Sequence, residues 1–263
     1  AKLNCKTWIA GLVGDDEQGR ILKSALTREG INTDCLVAST DRPTTVKTRI
    51  IAQSQQILRT DREDTDPIEF SLLEQINNKI LAVLPQIDGI IIADYNKGFL
   101  TTELINMILV AAEKESIAVY VDPKRVNFFS YHKVRLFKPN KNEFYNAIGN
   151  RFSDTSLEIG GKQLFNEIES EILMITLGQE GISLFFDDEY HSIPTRARQV
   201  HDVSGAGDTV IAVFTLSDLA GASPIESAQI ANLAAGRVVA EVGAVPITTE
   251  MLVQLINKQT DLV

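Results

Sequence analysis

The segment Asp202-Val203-Ser204-Gly205-Ala206-Gly207-Asp208 stands directly before an amphipathic run, residues 209–219. Glycines ahead of a helix let backbone N–H groups converge on an anion, and the helix N-terminus adds about half a positive charge. Asp208 would then fall in the first turn, beside that anion. A phosphoryl group in transfer spreads negative charge over its oxygens. Clustered N–H donors stabilise it while a nearby carboxylate takes the proton of the attacking hydroxyl. A glycine turn capped by an aspartate would carry the same spacing, so the segment alone leaves both readings open.

Lys138-Pro139-Asn140-Lys141-Asn142-Glu143 follows an apolar run at 134–137. If a helix opens here, Asn140 and Glu143 face one side, and an amide and a carboxylate could order a hydrated magnesium ion and nucleotide phosphates. Asn followed three residues later by Glu is equally a capping box, and both roles can coexist. Thr176-Leu177-Gly178-Gln179-Glu180-Gly181 closes another apolar run, where its glycines could simply make a turn. Asn232, among small residues, could be a packing or solvated side chain. Lys97, Lys124 and Arg49 could each hold an anion, or be ordinary surface residues at strand ends.

These residues need a scaffold, and the pattern around them is alternating. Runs at 88–93, 117–121, 134–137 and 172–177 are rich in Ile and Val and read as strands, with a helix predicted at 101–114. Such alternation predicts βαβ units around a central parallel sheet, with ligands at the ends of its strands. Residues 182–186 and 190–193 read as an antiparallel hairpin, which makes the sheet mixed. Residues 44–52 and 55–61 alternate polar and apolar around Ser54, the pattern of a two-stranded ribbon with one solvated face and a candidate small lid. The last third is helical, at 207–220, 224–241 and 248–257, with Pro224 suited to a first turn. No repeat or linker divides the 263 residues, so one domain over 1–263 is expected, with the ribbon at about 44–61.

Composition narrows the function classes. A net charge of −10 argues against broad nucleic-acid binding, although a few local cations can still hold a small phosphorylated ligand. No apolar run is long enough to cross a bilayer. The first 13 residues do not read as an export signal, and the two cysteines, Cys5 and Cys35, show no metal or redox spacing. A cytoplasmic setting with reduced thiols is expected.

The segment ending at Asp208 resembles the C-terminal signature of ribokinase-like (PfkB-type) carbohydrate kinases. That resemblance implies an α/β three-layer fold with a mostly parallel sheet and a small β lid. It implies Asp208 as catalytic base, and the backbone of Gly205, Ala206 and Gly207 as the anion hole. Asn140, Lys141, Asn142 and Glu143 match the family's N-x-x-E motif around ATP and Mg2+, with Glu143 and Asn140 serving the metal through water. Thr176, Gly178 and Gly181 match its nucleotide-loop glycines, and Asn232 its adenine pocket.

Ala93-Asp94-Tyr95-Asn96-Lys97-Gly98, Val121-Asp122-Pro123-Lys124 and residues 55–61 are similar to the heptose 7-phosphate kinase subgroup. By that resemblance Lys97 and Lys124 hold the phosphate already on the sugar, Asp94 addresses its hydroxyls, and Arg49 closes the site. Phosphorylation at C1 is the expected reaction, and a homodimer through the lid is a further expectation. The resemblance runs from Gly11 onwards, with Gly11-Leu12-Val13-Gly14-Asp15-Asp16-Glu17-Gln18-Gly19 read as structural. A sugar-contacting first strand and a G-G-x-x-N segment do not precede Ala1, and residues 1–4 read as the end of a helix. Some relatives carry a fused nucleotidyltransferase domain, and these residues contain none. Another sugar kinase of the same fold, or a non-catalytic nucleotide sensor, are the alternatives.

Overall fold

The computed structural model describes residues 1–52, 55–149, 156–195, 202–241, 243 and 245–260. Its contacts divide the chain into two compact units. One is essentially Leu3–Pro85 with Asn96–Ile108, and the other is Gln86–Tyr95 with Leu109–Val263.

The first unit begins with a turn closed by Asn4 N–H to Ala1 O, 3.0 Å. Two small parallel pairs follow: β1 (Thr7–Trp8) with β3 (Ile31–Asn32), and β2 (Gly11–Gly14) with β4 (Leu36–Ser39). Between them runs α1 (Glu17–Arg28), capped by Asp16, whose Oδ1 accepts the Gly19 N–H at 2.8 Å. The same carboxylate accepts the Thr44 hydroxyl at 2.7 Å and the Thr44 N–H at 3.0 Å, tying the chain that leaves β4 to the helix start. Gly19 is required there, because a Cβ would stand 2.3 Å from the Gly14 carbonyl oxygen. The stretch from Gly11 to Gly19 is thus a structural element.

β5 (Val46–Ala52) and β6 (Gln55–Arg62) form the antiparallel ribbon, with a register shift at Ile50/Ile51. The predicted turn at Ser54 lies outside the described residues. α2 (Phe70–Val83) completes this unit, burying Leu73, Ile76 and Ile80 at i, i+3 and i+7.

The second unit is built on six strands in the order β12-β11-β10-β9-β8-β7. β7 (Gly89–Ala93), β8 (Ala118–Asp122), β9 (Leu136–Phe137) and β10 (Ile172–Thr176) are parallel. β11 (Ile182–Phe186) and β12 (Glu189–Ile193) add the antiparallel hairpin. The mixed sheet is therefore as the sequence predicts, with β9 shorter than expected. Its centre is dry: Tyr120, Val121, Leu136, Phe137, Leu173, Met174 and Ile175 are essentially inaccessible. Continuous burial along adjacent strands is what a parallel sheet covered on both faces demands.

The crossovers are α3 (Thr102–Lys114), α4 (Lys141–Ile148) and α5 (Leu157–Ile168); α4 opens at Asn140, where the sequence allows a helix, and α5 has no counterpart among the predicted elements. Gly161 of α5 meets the ring of Phe185, and a Cβ would come within 2.3 Å of it. The last helices are α6 (Ala206–Leu219), α7 (Pro224–Val238) and α8 (Thr249–Thr260). α6 packs on β7 and β8 and α7 on β11 and β12, with Ala228, Ala231 and Ala234 of α7 fully buried.

Candidate active site

Because four neighbouring strands are parallel, their C-terminal ends lie along one edge of the sheet, where an open α/β fold collects ligands. Asp94 and Tyr95 follow β7, Asp122 ends β8 and Lys124 lies two residues on, Lys138 and Asn140 follow β9, and Thr176 ends β10. Backbone bonds lock this edge: Asp94 N–H to Asp122 O at 3.0 Å, Lys138 N–H to Val121 O at 2.8 Å, and Thr176 N–H to Pro139 O at 3.1 Å.

α6 is oriented from its far end. Asp218, in its last turn, accepts the Tyr120 hydroxyl at 2.6 Å and both Nε and Nη2 of Arg135, at 2.9 and 2.7 Å. Burial opposes ionisation of Asp218, but Arg135 and Tyr120 outweigh it and hold the carboxyl below the usual range. A bidentate arginine of this kind fixes geometry as well as charge.

At its near end α6 starts from Gly205 at φ +78°, the left-handed conformation glycine adopts without cost. Asp208 sits exposed in the first turn. One of the three expected anion-hole donors is already used, since the Ala206 N–H donates to the Val203 carbonyl at 3.2 Å. The turn needs that bond to close, so Ala206 is removed from the donor set. Among the described residues the N–H groups of Gly205 and Gly207 have no such partner, as expected for donors at a helix start.

Tyr95, for which the sequence motifs imply no role, donates its hydroxyl to Asp208 Oδ1 at 3.0 Å. Burial of part of the ring, followed by the charge of Asp208, pushes the phenol up to about 12. Beside α6 lies a charged group: Lys138, 2% exposed, pairs with Asp122 Oδ2 at 3.0 Å. Lys124 donates to Asp122 Oδ1 at 3.3 Å and contacts Glu143 closely. Burial works against the charge on Lys124, but Glu143 and Asp122 more than offset it and its pKa is raised.

Several sequence-predicted residues fall elsewhere than expected. Asp94 is 2% exposed, and its Oδ2 accepts from Asn127 at 3.0 Å and from the Tyr131 hydroxyl at 2.9 Å. Its carboxylate is already occupied from within the fold. Lys124 lies against Glu143, on the side of the N-x-x-E motif. Both halves of a capping box form at α4: Asn140 Oδ1 accepts the Glu143 N–H at 3.0 Å, and Glu143 Oε2 accepts the Asn140 N–H at 2.8 Å.

Lys141 pairs with Glu180 and so joins that motif to the loop after β10, while Asn142 is exposed. In that loop Gly178 and Gly181 hold φ +63° and +98°, and a Cβ on Gly181 would meet the Ile193 oxygen at 2.1 Å. Asn232 Nδ2 donates to the Pro194 carbonyl at 3.0 Å.

In the first unit, Lys97 Nζ lies 2.5 Å from Glu63 Oε1, and Lys47 bridges Asp61 and Glu63 at 3.0 and 3.1 Å. Lys97 first, then Lys47, hold the Glu63 carboxyl below its usual range. Arg49 is exposed and stands directly opposite Arg59 in the ribbon register. Like charges placed so repel one another.

Among the described residues no group of three or more His, Cys, Asp or Glu could hold a metal alone. Magnesium characteristically takes one or two carboxylates and fills its shell with water and substrate phosphates, so Glu143 at a strand-end cluster suits it. The N–H groups at the start of α6, unpartnered among the described residues, and the ammonium of Lys124 likewise fit a polyphosphate.

This fold, with its glycine turn and helix-borne carboxylate, defines a ribokinase-like protein. It is similar to phosphofructokinase-2 from Escherichia coli, with a TM-score of 0.82 at 16% identity over 98% of this chain and 84% of the other. It is also similar to ribokinase from Arabidopsis thaliana, solved with ribose and ATP, with a TM-score of 0.75 at 20% identity over 97% and 83%. Residues 1–250 match the description "pfkB family carbohydrate kinase", and the chain belongs to that family.

Among curated proteins it is 39% identical over 258 residues to the bifunctional protein HldE of Helicobacter hepaticus, covering 98% of this chain and 54% of that protein. It is 40% identical over 243 residues to HldE of Desulfatibacillum aliphaticivorans, covering 92% and 50%. The chain spans about half the length of these curated relatives.

Proposed function

We propose that this chain is an ATP- and Mg2+-dependent kinase domain that phosphorylates D-glycero-β-D-manno-heptose 7-phosphate at C1. The observation that carries the reading is Asp208, exposed in the first turn of α6 directly after a glycine turn with unused N–H donors. Asp208 accepts the proton of the sugar hydroxyl. The Gly205 and Gly207 N–H groups bind phosphoryl oxygens as charge builds on them. Glu143, with Asn140, orders the metal, and Lys124 binds and orients the phosphates. Magnesium, when bound, screens the charge of the transferring group.

The heptose assignment rests on the A-D-Y-x-K-G and D-P-K segments. Lys97 and Arg49 are our candidates for the phosphate already on the sugar. We assign self-association to the ribbon, which exposes Ile50, Ile57 and Leu58. The reaction belongs in the cytoplasm, in keeping with the free thiols of Cys5 and Cys35.

The test is turnover by the full chain with heptose 7-phosphate, fructose 6-phosphate, ribose and fructose as acceptors. Heptose 7-phosphate is expected to give the highest kcat/KM, and Asp208→Asn to cut kcat by about 10²- to 10⁴-fold with ATP binding retained. Preference for another acceptor removes the heptose assignment. An Asp208→Asn variant with most of its turnover removes the base.

A further inference from the structure

A carboxylate that serves as base must present one oxygen to the acceptor hydroxyl and keep it there. An exposed aspartate in the first turn of a helix has two free side-chain torsions and solvent on one side, so something must hold it. The Tyr95 hydroxyl does so, donating to Asp208 Oδ1 at 3.0 Å. Among the described residues Oδ2 of Asp208 has no hydrogen-bond partner, and a carboxylate has lone pairs for both tasks.

Tyr95 is itself well placed to hold something else. Its predecessor, Asp94, is buried and fixed through its side chain by Asn127 and Tyr131 and through its backbone N–H by Asp122. The phenol therefore projects from a rigid strand end, although 58% of the residue is exposed.

We propose that Tyr95 is a positioning residue for phosphoryl transfer, holding Oδ1 of Asp208 so that Oδ2 receives the proton of the acceptor hydroxyl. The proposal rests on Asp208 being the base. In the step, the hydroxyl O–H bond breaks and its proton passes to Oδ2. The freed oxygen pair forms the new bond to the transferring phosphorus, and the bond from that phosphorus to ADP breaks with its electrons. The carboxylate ends protonated and loses the proton to solvent.

The experiment compares Tyr95→Phe, Asp208→Asn and the double variant in the full chain, using whichever of the four acceptors the wild type turns over fastest. Tyr95→Phe keeps the ring and removes only the donor. It is expected to lower kcat by about 10-fold, the order of one hydrogen bond to a charged group. Both KM values should stay within about twofold and the melting temperature within about 1 °C. In the Asp208→Asn background, loss of the phenol should cost nothing further, because the hydroxyl acts only through that carboxylate.

Wild-type kcat in Tyr95→Phe overturns the proposal, as does a loss that simply adds to that of Asp208→Asn. A lower sugar KM with undiminished kcat also overturns it, making the phenol a stand-in for the acceptor hydroxyl. A melting temperature that falls in step with kcat makes Tyr95 merely structural. If Asp208→Asn keeps its turnover, or no acceptor is used, the kinase-base reading fails and this proposal fails with it.

Discussion

Lys138 and Asp122, at the ends of neighbouring parallel strands, form a buried ion pair 3.0 Å long beside Gly207 of α6. A Cβ added at Gly207 would lie 3.7 Å from Lys138 Nζ and 3.9 Å from Asp122 Oδ2, which is ordinary contact. An ammonium only 2% exposed would be costly without its partner. The fold thus places a compensated charge pair directly against the turn that carries the proposed base.

That spacing separates a ligand role for Gly207 from a folding role. Gly207→Ala should fold with its melting temperature within about 1 °C, since the methyl has room. If the backbone there approaches phosphoryl oxygens, the methyl should weaken ATP binding or turnover by about 10-fold. Melting curves beside an ATP titration decide, and unchanged binding and turnover would leave only a turn. Gly205→Ala is the control. At φ +78° it should cost about 1–2 kcal/mol of stability, whatever its effect on binding.

Glu143 serves two partners, and a pair of substitutions can divide them. Glu143→Gln keeps an amide oxygen that can accept the Asn140 N–H but loses the charge facing Lys124. The magnesium concentration for half-maximal rate should rise about 10-fold, with the melting temperature within about 2 °C of wild type. Glu143→Ala removes the cap as well and should melt a few degrees lower. A glutamine variant that melts several degrees lower with its magnesium requirement unchanged would make Glu143 a cap alone.

Asp16 predicts acid sensitivity in the first unit. The Thr44 hydroxyl, then the Gly19 and Thr44 N–H groups, lower its carboxyl from 3.8 to about 2. A folded value below the unfolded one stabilises the native state above the unfolded value, and that stabilisation disappears as pH falls through the folded one. Melting followed from pH 5 down to pH 2 should therefore show a steeper loss between about 4 and 2 than Asp16→Asn shows. Identical slopes for the two proteins would contradict the assignment.

Much of the architecture was legible because its signals are local. Ile- and Val-rich runs alternating with a helical period specify buried parallel strands, and β7, β8, β10 and the hairpin lie within a residue or two of their predicted bounds. The short pairs β1–β3 and β2–β4 were not placed. Strands of two to four residues give too little period to read, and their pairing is defined only across the chain.

The candidate site divides in the same way. Asp208 after a glycine turn and Asn140 three residues before Glu143 are spacings along the chain, so residue order alone singled them out. That Tyr95 meets Asp208, 113 residues away, and that Lys124 meets Glu143, are facts about which strand ends lie side by side. The withdrawal of Ala206 from the donor set follows from how one turn closes, and the burial of Asp94 from Asn127 and Tyr131 reaching it across the fold. Sequence by itself determined which chemical groups are present and the elements that carry them. Tertiary structure alone decided which of those groups are already satisfied and which face outward, because a hydrogen bond depends on distance in space, which spacing along the chain does not specify.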